Sequence, residues 1–177
     1  PRDTESAELW QTLFRDRGIE AVIADFPERD GMQGGRIFYY DEKKNWWSRA
    51  GIPSNMPVGE PGGPDTEMFW DFDPENQFSL HERSLWKDEP CHVNCDCGRF
   101  MEIGNNVFME YQKTDTGFVR LAQQNVDFGG GLERIAAASL DNPDVFRIDL
   151  FDRARQAVEV VSGKAYGENP DDTYAYR

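Results

Sequence analysis

The segment of residues 100–121 constrains the fold more than any other part of this chain. Its odd positions from Met101 to Tyr111 are apolar apart from Asn105, which is the alternation expected of a long β-strand with one face turned inward. The turn sequence Thr114-Asp115-Thr116-Gly117 follows and leads into the apolar run Phe118–Leu121. Together these features predict a β-hairpin.

Three glycines mark the next change of structure. Gly129-Gly130-Gly131 separate the apolar approach Val126-Asp127-Phe128 from a pattern that predicts a helix to about Leu140. Two further amphipathic helices are predicted, one near the start of the chain that ends before Gly18 and one from about Ile148 to Val161.

The first half of the chain carries weaker signals. Residues 19–26 and 36–40 are short β-branched or aromatic runs and predict short extended segments. Residues 41–65 are rich in proline and glycine and are expected to form neither helix nor central strand. Residues 67–72 alternate as a strand, and Glu67 is on the same side as a second carboxylate.

Charge and hydropathy limit the partners. The chain has 33 acidic against 19 basic residues and a formal charge of −14, so it should bind a polyphosphate backbone poorly by itself. It has 38% hydrophobic residues, enough for one core, and no apolar run long enough to span a bilayer. We therefore expect a cytoplasmic protein with no membrane partner.

Two ordered motifs resemble a known family. The sequence from Glu102 to Tyr111 and the sequence from Val126 to Ala136 are similar to the later part of the catalytic domain of alanyl-tRNA synthetases, and the second segment resembles class II motif 3. The similarity covers about residues 3–163, and Pro64, Thr66 and Glu67 resemble the family's Gly-Pro loop and Thr-Glu pair.

The resemblance implies an α+β fold, with a mostly antiparallel sheet and flanking helices. It places the later part of the catalytic domain at residues 1–147 and the first helix of the following helical tRNA-recognition region at residues 148–177. It also implies alanine-tRNA ligase activity: alanine and ATP give alanyl-adenylate, and the alanine is passed to tRNA(Ala). ATP and Mg²⁺ are the implied cofactors.

The resemblance assigns an alanine pocket. Asp127 would receive the α-ammonium, Asn105 would contact the substrate, and Val107 with Gly129 would bound the space for one methyl group. Trp47 best matches the family's pocket tryptophan, although Trp46 is an alternative. By residue type alone, Asp127 is equally a helix or turn cap, Asn105 a satisfied core amide and Val107 simply core.

The same resemblance assigns the ATP contacts. Arg134 is similar to the motif 3 arginine, and Gly129 and Gly131 open the backbone at a helix N-terminus that suits phosphate. Glu67 and Glu102 are candidates for a magnesium or nucleotide contact, although strand-surface carboxylates are the ordinary alternative. Asp127 and Arg134 are the expected catalytic residues.

Several features depart from the family pattern. The family's motifs 1 and 2 are not found in these residues, so we expect the chain to be inactive by itself and to bind tRNA through the rest of a larger enzyme. Gly62 and Asp65 stand where the family often has cysteines. Gly104 stands in place of a tryptophan, and Phe128 in place of a threonine or small residue.

Cysteine and histidine cluster in a second candidate site. Cys91, His92, Cys95 and Cys97 fall within seven positions, and three thiols with one imidazole would complete a tetrahedral zinc shell. Their spacing is not a standard zinc pattern, and His81 is an alternative to His92. Ordinary reduced cysteines are the other interpretation.

Two other functions remain open at the level of sequence. One is a free-standing synthetase-like module that binds an amino acid or nucleotide without catalysis. The other is a zinc-stabilised interaction domain.

Overall fold

The computed structural model describes residues 2–177 and contains a four-stranded antiparallel sheet with helices. Its elements follow in the order α1 (Thr4–Asp16), β1 (Ile23–Ala24), α2 (Pro27–Asp30), β2 (Ile37–Phe38), β3 (Trp46–Ser48), β4 (Pro61–Asp71), β5 (Phe100–Thr114), β6 (Gly117–Gly130), α3 (Leu132–Ser139), α4 (Asp152–Ser162) and α5 (Pro170–Tyr176). The mixture confirms the predicted α+β class. Within the described residues no helix has the length and apolar character needed to cross a membrane.

The helices begin and end largely where the sequence indicates. The Asp3 side chain caps α1 by accepting a hydrogen bond from the Ser6 backbone N–H at 2.9 Å. Gly163 ends α4 in the left-handed conformation, at φ 68°. The predicted start of α4 at about Ile148 is wrong by one turn, because residues 149–151 form a 3-10 turn before the α-helix begins.

The main sheet has the strand order β3-β4-β5-β6, and all its strand pairs are antiparallel. The hairpin of β5 and β6 is confirmed, but its second arm extends far beyond the predicted Phe118–Leu121. Strand β6 continues to Gly130. Its pairing with β5 is irregular between Met109 and Tyr111, where the polar middle part of β6 lies. The short segments β1 and β2 form a separate parallel pair of two residues each.

The largest correction to the sequence-based prediction concerns the proline- and glycine-rich residues 41–65. Residues 61–65 belong to β4, which lies between β3 and β5 and is therefore a central strand. The strand tolerates this composition because its pairing with β5 shifts between Gly62 and Asp65. At Gly63 the two backbones approach so closely that a Cβ would overlap the carbonyl oxygen of Phe108.

The chain divides into two compact units, Pro1–Gly130 and Gly131–Arg177. The second unit is helical, and its buried residues include Ala137, Ile148 and Tyr166. The Tyr166 hydroxyl donates a hydrogen bond to the Asp144 carboxylate at 2.9 Å. The domain boundary at residues 147 and 148 stays a prediction.

Candidate functional site

The register of β5 and β6 brings the predicted alanine-site residues of these strands together. Val107 lies directly opposite Asp127, and Asn105 lies directly opposite Gly129. Directly opposed residues of an antiparallel pair share a face, as do residues two apart in one strand. The side chains of Asn105, Val107 and Asp127 therefore project from one face of the sheet, where Gly129 leaves the backbone uncovered.

Strand β4 adds two carboxylates to this face. Asp65 lies opposite Val107, and Glu67 lies opposite Asn105. The Asn105 side-chain amide donates a hydrogen bond from Nδ2 to Asp65 Oδ2 at 2.9 Å. The Asn45 amide donates from Nδ2 to the Asp65 backbone oxygen at 3.4 Å. The bond to Asp65 fixes the orientation of the Asn105 amide before any ligand binds.

The pair Asp65 and Asn105 leaves acceptor atoms without donors. Asp65 is only 8% exposed. Asp65 Oδ1 and Asn105 Oδ1 are both buried without a hydrogen-bond partner among residues 2–177. A buried acceptor without a partner costs about 1–3 kcal/mol. Burial raises the pKa of the Asp65 carboxyl, the hydrogen bond from Asn105 opposes this shift, and the nearby charge of Glu102 adds to it. The chemistry of this face suits a ligand with N–H donors and positive charge.

The two tryptophans of β3 have different surroundings. Trp46 stacks on Tyr111 at 6.0 Å and meets Phe118 edge-on at 5.3 Å between ring centroids. Trp47 lies opposite Gly63 and is 42% exposed. Trp46 is thus part of an aromatic cluster, whereas Trp47 is more available to a ligand. The choice of Trp47 as the pocket tryptophan stays a prediction.

Two of the departures from the family pattern are neighbours in space. A Cβ at Gly104 would lie 2.8 Å from the end of Met68 and 3.0 Å from the Phe128 ring. Phe128 therefore fills space beside Gly104 that a side chain at position 104 would need. Gly104 and Phe128 occupy even positions of β5 and β6, so by strand alternation they belong to the face opposite Asn105 and Val107. These two departures from the family pattern therefore leave the sheet face that carries Asp127 unchanged.

The residues predicted to bind ATP or magnesium lie in β4, in β5 and at the start of α3. Gly131 precedes the first residue of α3, where no side chain caps the helix, and the Arg134 side chain lies close to the Gly131 backbone. Glu67 is in β4, and Glu102 lies in β5 opposite Phe69. Glu102 also lines an open groove of about 370 Å³ together with Phe69 and Cys95.

The cysteine cluster includes His81 in place of His92. The ligand atoms of His81, Cys91 and Cys97 all lie within 4.8 Å of one another. Cys95 Sγ is 3.7 Å from His81 Nδ1. The Nδ1 of His92 instead forms a hydrogen bond with the Tyr40 hydroxyl at 2.8 Å. All three cysteines are free thiols.

Sequence reasoning missed the contacts that support Asn105. Asp65 is recognisable in the sequence only as an acidic residue where the family often has cysteine, and Asn45 only as the neighbour of Trp46. The signal was the unusual carboxylate itself, since a buried Asp needs a donor nearby. The sequence could not show which amide supplies that donor, because β4 and β5 are separated by a long irregular segment.

Comparison with known proteins shows the protein family to which the chain belongs. The family model described as "tRNA synthetases class II (A)" matches residues 4–177. The chain therefore belongs to the class II (A) tRNA synthetase family.

Similar relatives carry the name alanine–tRNA ligase. Alanine–tRNA ligase of Borreliella burgdorferi is 34% identical over 180 residues, which cover 100% of this chain and 24% of the relative. The enzymes of the same name from Treponema denticola and Desulfosudis oleivorans are 34% and 36% identical and cover 96% and 86% of this chain. The matched regions are 23% and 16% of those two relatives. The chain thus spans about a quarter or less of the relatives' length, and it matches a fragment of a synthetase catalytic domain.

Proposed function

We propose that this chain supplies the alanine-binding part of an alanine–tRNA ligase. The parent enzyme would activate alanine with ATP and transfer it to tRNA(Ala) in the cytoplasm. The observation that carries the proposal is the shared face of Asn105, Val107 and Asp127, with Gly129 opposite Asn105. This arrangement offers an anionic carboxylate, an amide and a small apolar space, which match the ammonium, the polar atoms and the methyl group of alanine.

Each residue has a distinct role in the proposal. The Asp127 carboxylate pairs with the α-ammonium through charge-assisted hydrogen bonds. Asn105 accepts from the same group through Oδ1, because its Nδ2 is engaged by Asp65. Val107, which is 7% exposed, and the bare backbone of Gly129 limit the space for the side chain. Trp47 covers the pocket from β3.

The alanine pocket selects mainly by size. A longer side chain would collide with Val107 and with the backbone at Gly129. Glycine and serine are rejected only weakly, because one methyl group or one tolerated hydroxyl is worth about 1–3 kcal/mol. The parent enzyme therefore needs an editing step, and the proposal places that step outside these residues.

The first chemical step requires no nucleophile from the protein. The alanine carboxylate oxygen attacks the α-phosphorus of ATP, a new O–P bond forms, and the bond to the β-phosphate breaks to release pyrophosphate. Arg134 contacts ATP in this proposal, and the backbone at Gly129 and Gly131 accommodates it. Catalysis is by positioning and by stabilisation of phosphate charge.

The magnesium ligands are proposed among the carboxylates of β4 and β5. Glu67 and Glu102 are hard oxygen donors, and the charge of Glu102 already contributes to the raised pKa of Asp65. Mg²⁺ bound with ATP there would neutralise phosphate charge.

The acidic chain is proposed to leave tRNA binding to the rest of the enzyme. Its formal charge of −14 opposes binding to a phosphate backbone. In the family, the contacts to the ATP α-phosphate and to the tRNA acceptor end lie in motif 2. Because motif 2 is not found in these residues, we propose that the 177-residue chain is inactive by itself.

Alanine-dependent exchange of pyrophosphate into ATP tests the function. The full-length protein should catalyse the exchange with alanine, more weakly with glycine and serine, and not with valine. Exchange supported by another amino acid and not by alanine would overturn the proposal. Binding of an alanyl-adenylate analogue without any exchange would instead indicate a binding module. Exchange by the 177-residue chain would contradict its proposed inactivity.

A further inference from the structure

The segment that joins β4 to β5 has almost no hydrophobic core. Residues 72–99 contain no helix or strand, and their buried residues are Phe72, Asp73, His81, Cys95 and Cys97. Phe72 is the only large apolar side chain in that set, whereas Leu85 is 91% exposed. A loop of this length is unusual in a compact domain and needs some other source of order.

Hydrogen bonds to two carboxylates order the base and the first turn of this segment. Arg99 donates two hydrogen bonds to the Asp71 carboxylate, from Nε at 2.8 Å and from Nη2 at 2.7 Å. The buried Asp73 carboxylate accepts from the backbone N–H groups of Phe78 and Leu80 at 3.0 and 3.1 Å. These contacts tie residues 71–80 and 99. Within residues 81–97 the hydrogen bonds are short-range: His81 Nε2 lies 3.0 Å from the Glu89 backbone oxygen, and the backbone N–H groups of Ser84 and Cys95 donate to the carbonyls of His81 and His92.

Three soft ligand atoms converge in that part of the segment, and a fourth lies beside one of them. The donor atoms of His81, Cys91 and Cys97 lie within 4.8 Å of one another, and Cys95 Sγ is 3.7 Å from His81 Nδ1. Ligands about 2.3 Å from a tetrahedral Zn²⁺ lie about 3.8 Å apart. The donor atoms of His81, Cys91 and Cys97 are therefore close to the spacing that one ion requires, and Cys95 Sγ is at that spacing from His81. Their burial is also that of a closed site, because His81, Cys95 and Cys97 are each no more than 9% exposed.

The orientation of His81 supports metal binding independently of the distances. Its Nε2 is 3.0 Å from the backbone oxygen of Glu89, and because a carbonyl oxygen only accepts, Nε2 carries the proton. In the neutral ring, Nδ1 then has a free lone pair, and this is the atom that faces Cys95. A ligating histidine usually donates its other ring N–H to a carbonyl or carboxylate in this way.

We propose that His81, Cys91, Cys95 and Cys97 bind one structural Zn²⁺ that holds the β4–β5 connection together. Three thiolates and one imidazole complete a tetrahedral shell with no open position, which is the arrangement of a structural site. Binding displaces the three thiol protons to solvent. His92 is left out of the ligand set, because its ring atoms are not among the converging donor atoms and its Nδ1 is hydrogen-bonded to the Tyr40 hydroxyl. None of the four ligands belongs to the proposed alanine or ATP sites, so this inference stands or falls separately.

Metal analysis of matched variants tests the ligand set. Zinc is measured by mass spectrometry in the full-length parent and in the variants His81→Asn, Cys97→Ser and His92→Asn. The first two variants should contain one zinc ion fewer per chain than the parent, and His92→Asn should contain the same amount as the parent. Unchanged zinc in His81→Asn and Cys97→Ser would overturn the site. Loss of zinc in His92→Asn would overturn the choice of histidine.

A measurement on the parent protein covers the case in which the variants fail to fold. The protein is alkylated with iodoacetamide, and modification of the peptide that contains Cys91, Cys95 and Cys97 is followed with and without a zinc chelator. We expect the chelator to accelerate modification of all three thiols by about tenfold or more, because the metal-bound thiolates are shielded until the ion leaves. Equal rates with and without the chelator, or stoichiometric iron in place of zinc, would overturn the proposal.

Discussion

A methyl group at Gly63 should disrupt the sheet that carries the candidate site. An ideal Cβ at this position would overlap the carbonyl oxygen of Phe108 and lie 2.9 Å from its carbonyl carbon. Carbon and oxygen atoms of adjacent strands normally stay about 3.3–3.6 Å apart. Because the obstacle is backbone, it cannot rotate away, and Gly63→Ala must push β4 and β5 apart.

The expected loss of stability follows from two contributions. Overpacking of a close contact costs about 1–3 kcal/mol. Separation of the strands weakens about two further backbone hydrogen bonds, each worth about 1 kcal/mol. The free energy of unfolding should therefore fall by about 3–5 kcal/mol. Gly129→Ala is the matched control, since a Cβ there meets nothing within 4 Å and should change stability by no more than about 0.5 kcal/mol.

Urea unfolding of the 177-residue chain measures this loss. The five tryptophans provide the fluorescence signal, and the parent, Gly63→Ala and Gly129→Ala proteins are compared under identical conditions. A Gly63→Ala protein within about 1 kcal/mol of the parent would refute the close approach of β4 and β5. Equal destabilisation by both substitutions would refute it as well.

Two further predictions concern residues around the site. Gly104→Ala should destabilise the parent by about 1–2 kcal/mol through its contact with the Phe128 ring, and should destabilise a Phe128→Thr variant much less. Equal losses of stability in both backgrounds, measured by urea unfolding, would contradict the idea that Phe128 fills the space left by Gly104. Asp65→Asn keeps an acceptor for Asn105 but removes a carboxyl whose pKa burial raises above the ordinary 3.8. Because the folded state binds that proton more tightly than the unfolded state, the parent should lose stability as pH rises from that ordinary value through the raised pKa, and the variant should lack this loss. A stability difference that stays constant with pH would contradict this sign.

Local patterns predicted much of the sheet and the positions of the helices. Alternation alone identified β5, and because residues i and i+2 share a face, it also placed Asn105 and Val107 on one side. The Gly163 stop and the Asp3 cap were readable because capping depends on residues close in sequence.

The errors in the sequence-based prediction arose where the structure depends on pairing between strands that are far apart in the sequence. Residues 61–65 contain two prolines and two glycines, and local rules exclude them from a central strand. The structure accommodates them because the pairing of β4 with β5 shifts its register between Gly62 and Asp65, and no nearby residue signals that shift. The same limit hid the bond from Asn105 to Asp65, and it left His81 only as an alternative to His92 at the cysteine cluster. Each contact joins residues that are far apart in the sequence.

The Asp127 carboxylate provides the most direct test of the proposed site. Alanine-dependent pyrophosphate exchange is measured in the full-length protein for the parent, Asp127→Asn and Asp115→Asn, the last being the same substitution at the exposed turn between β5 and β6. The account predicts that Asp127→Asn lowers kcat/KM for alanine by about 100-fold, equivalent to about 2.7 kcal/mol, while Asp115→Asn stays within about twofold of the parent. An Asp127→Asn enzyme that retains the parent's kcat/KM would contradict it.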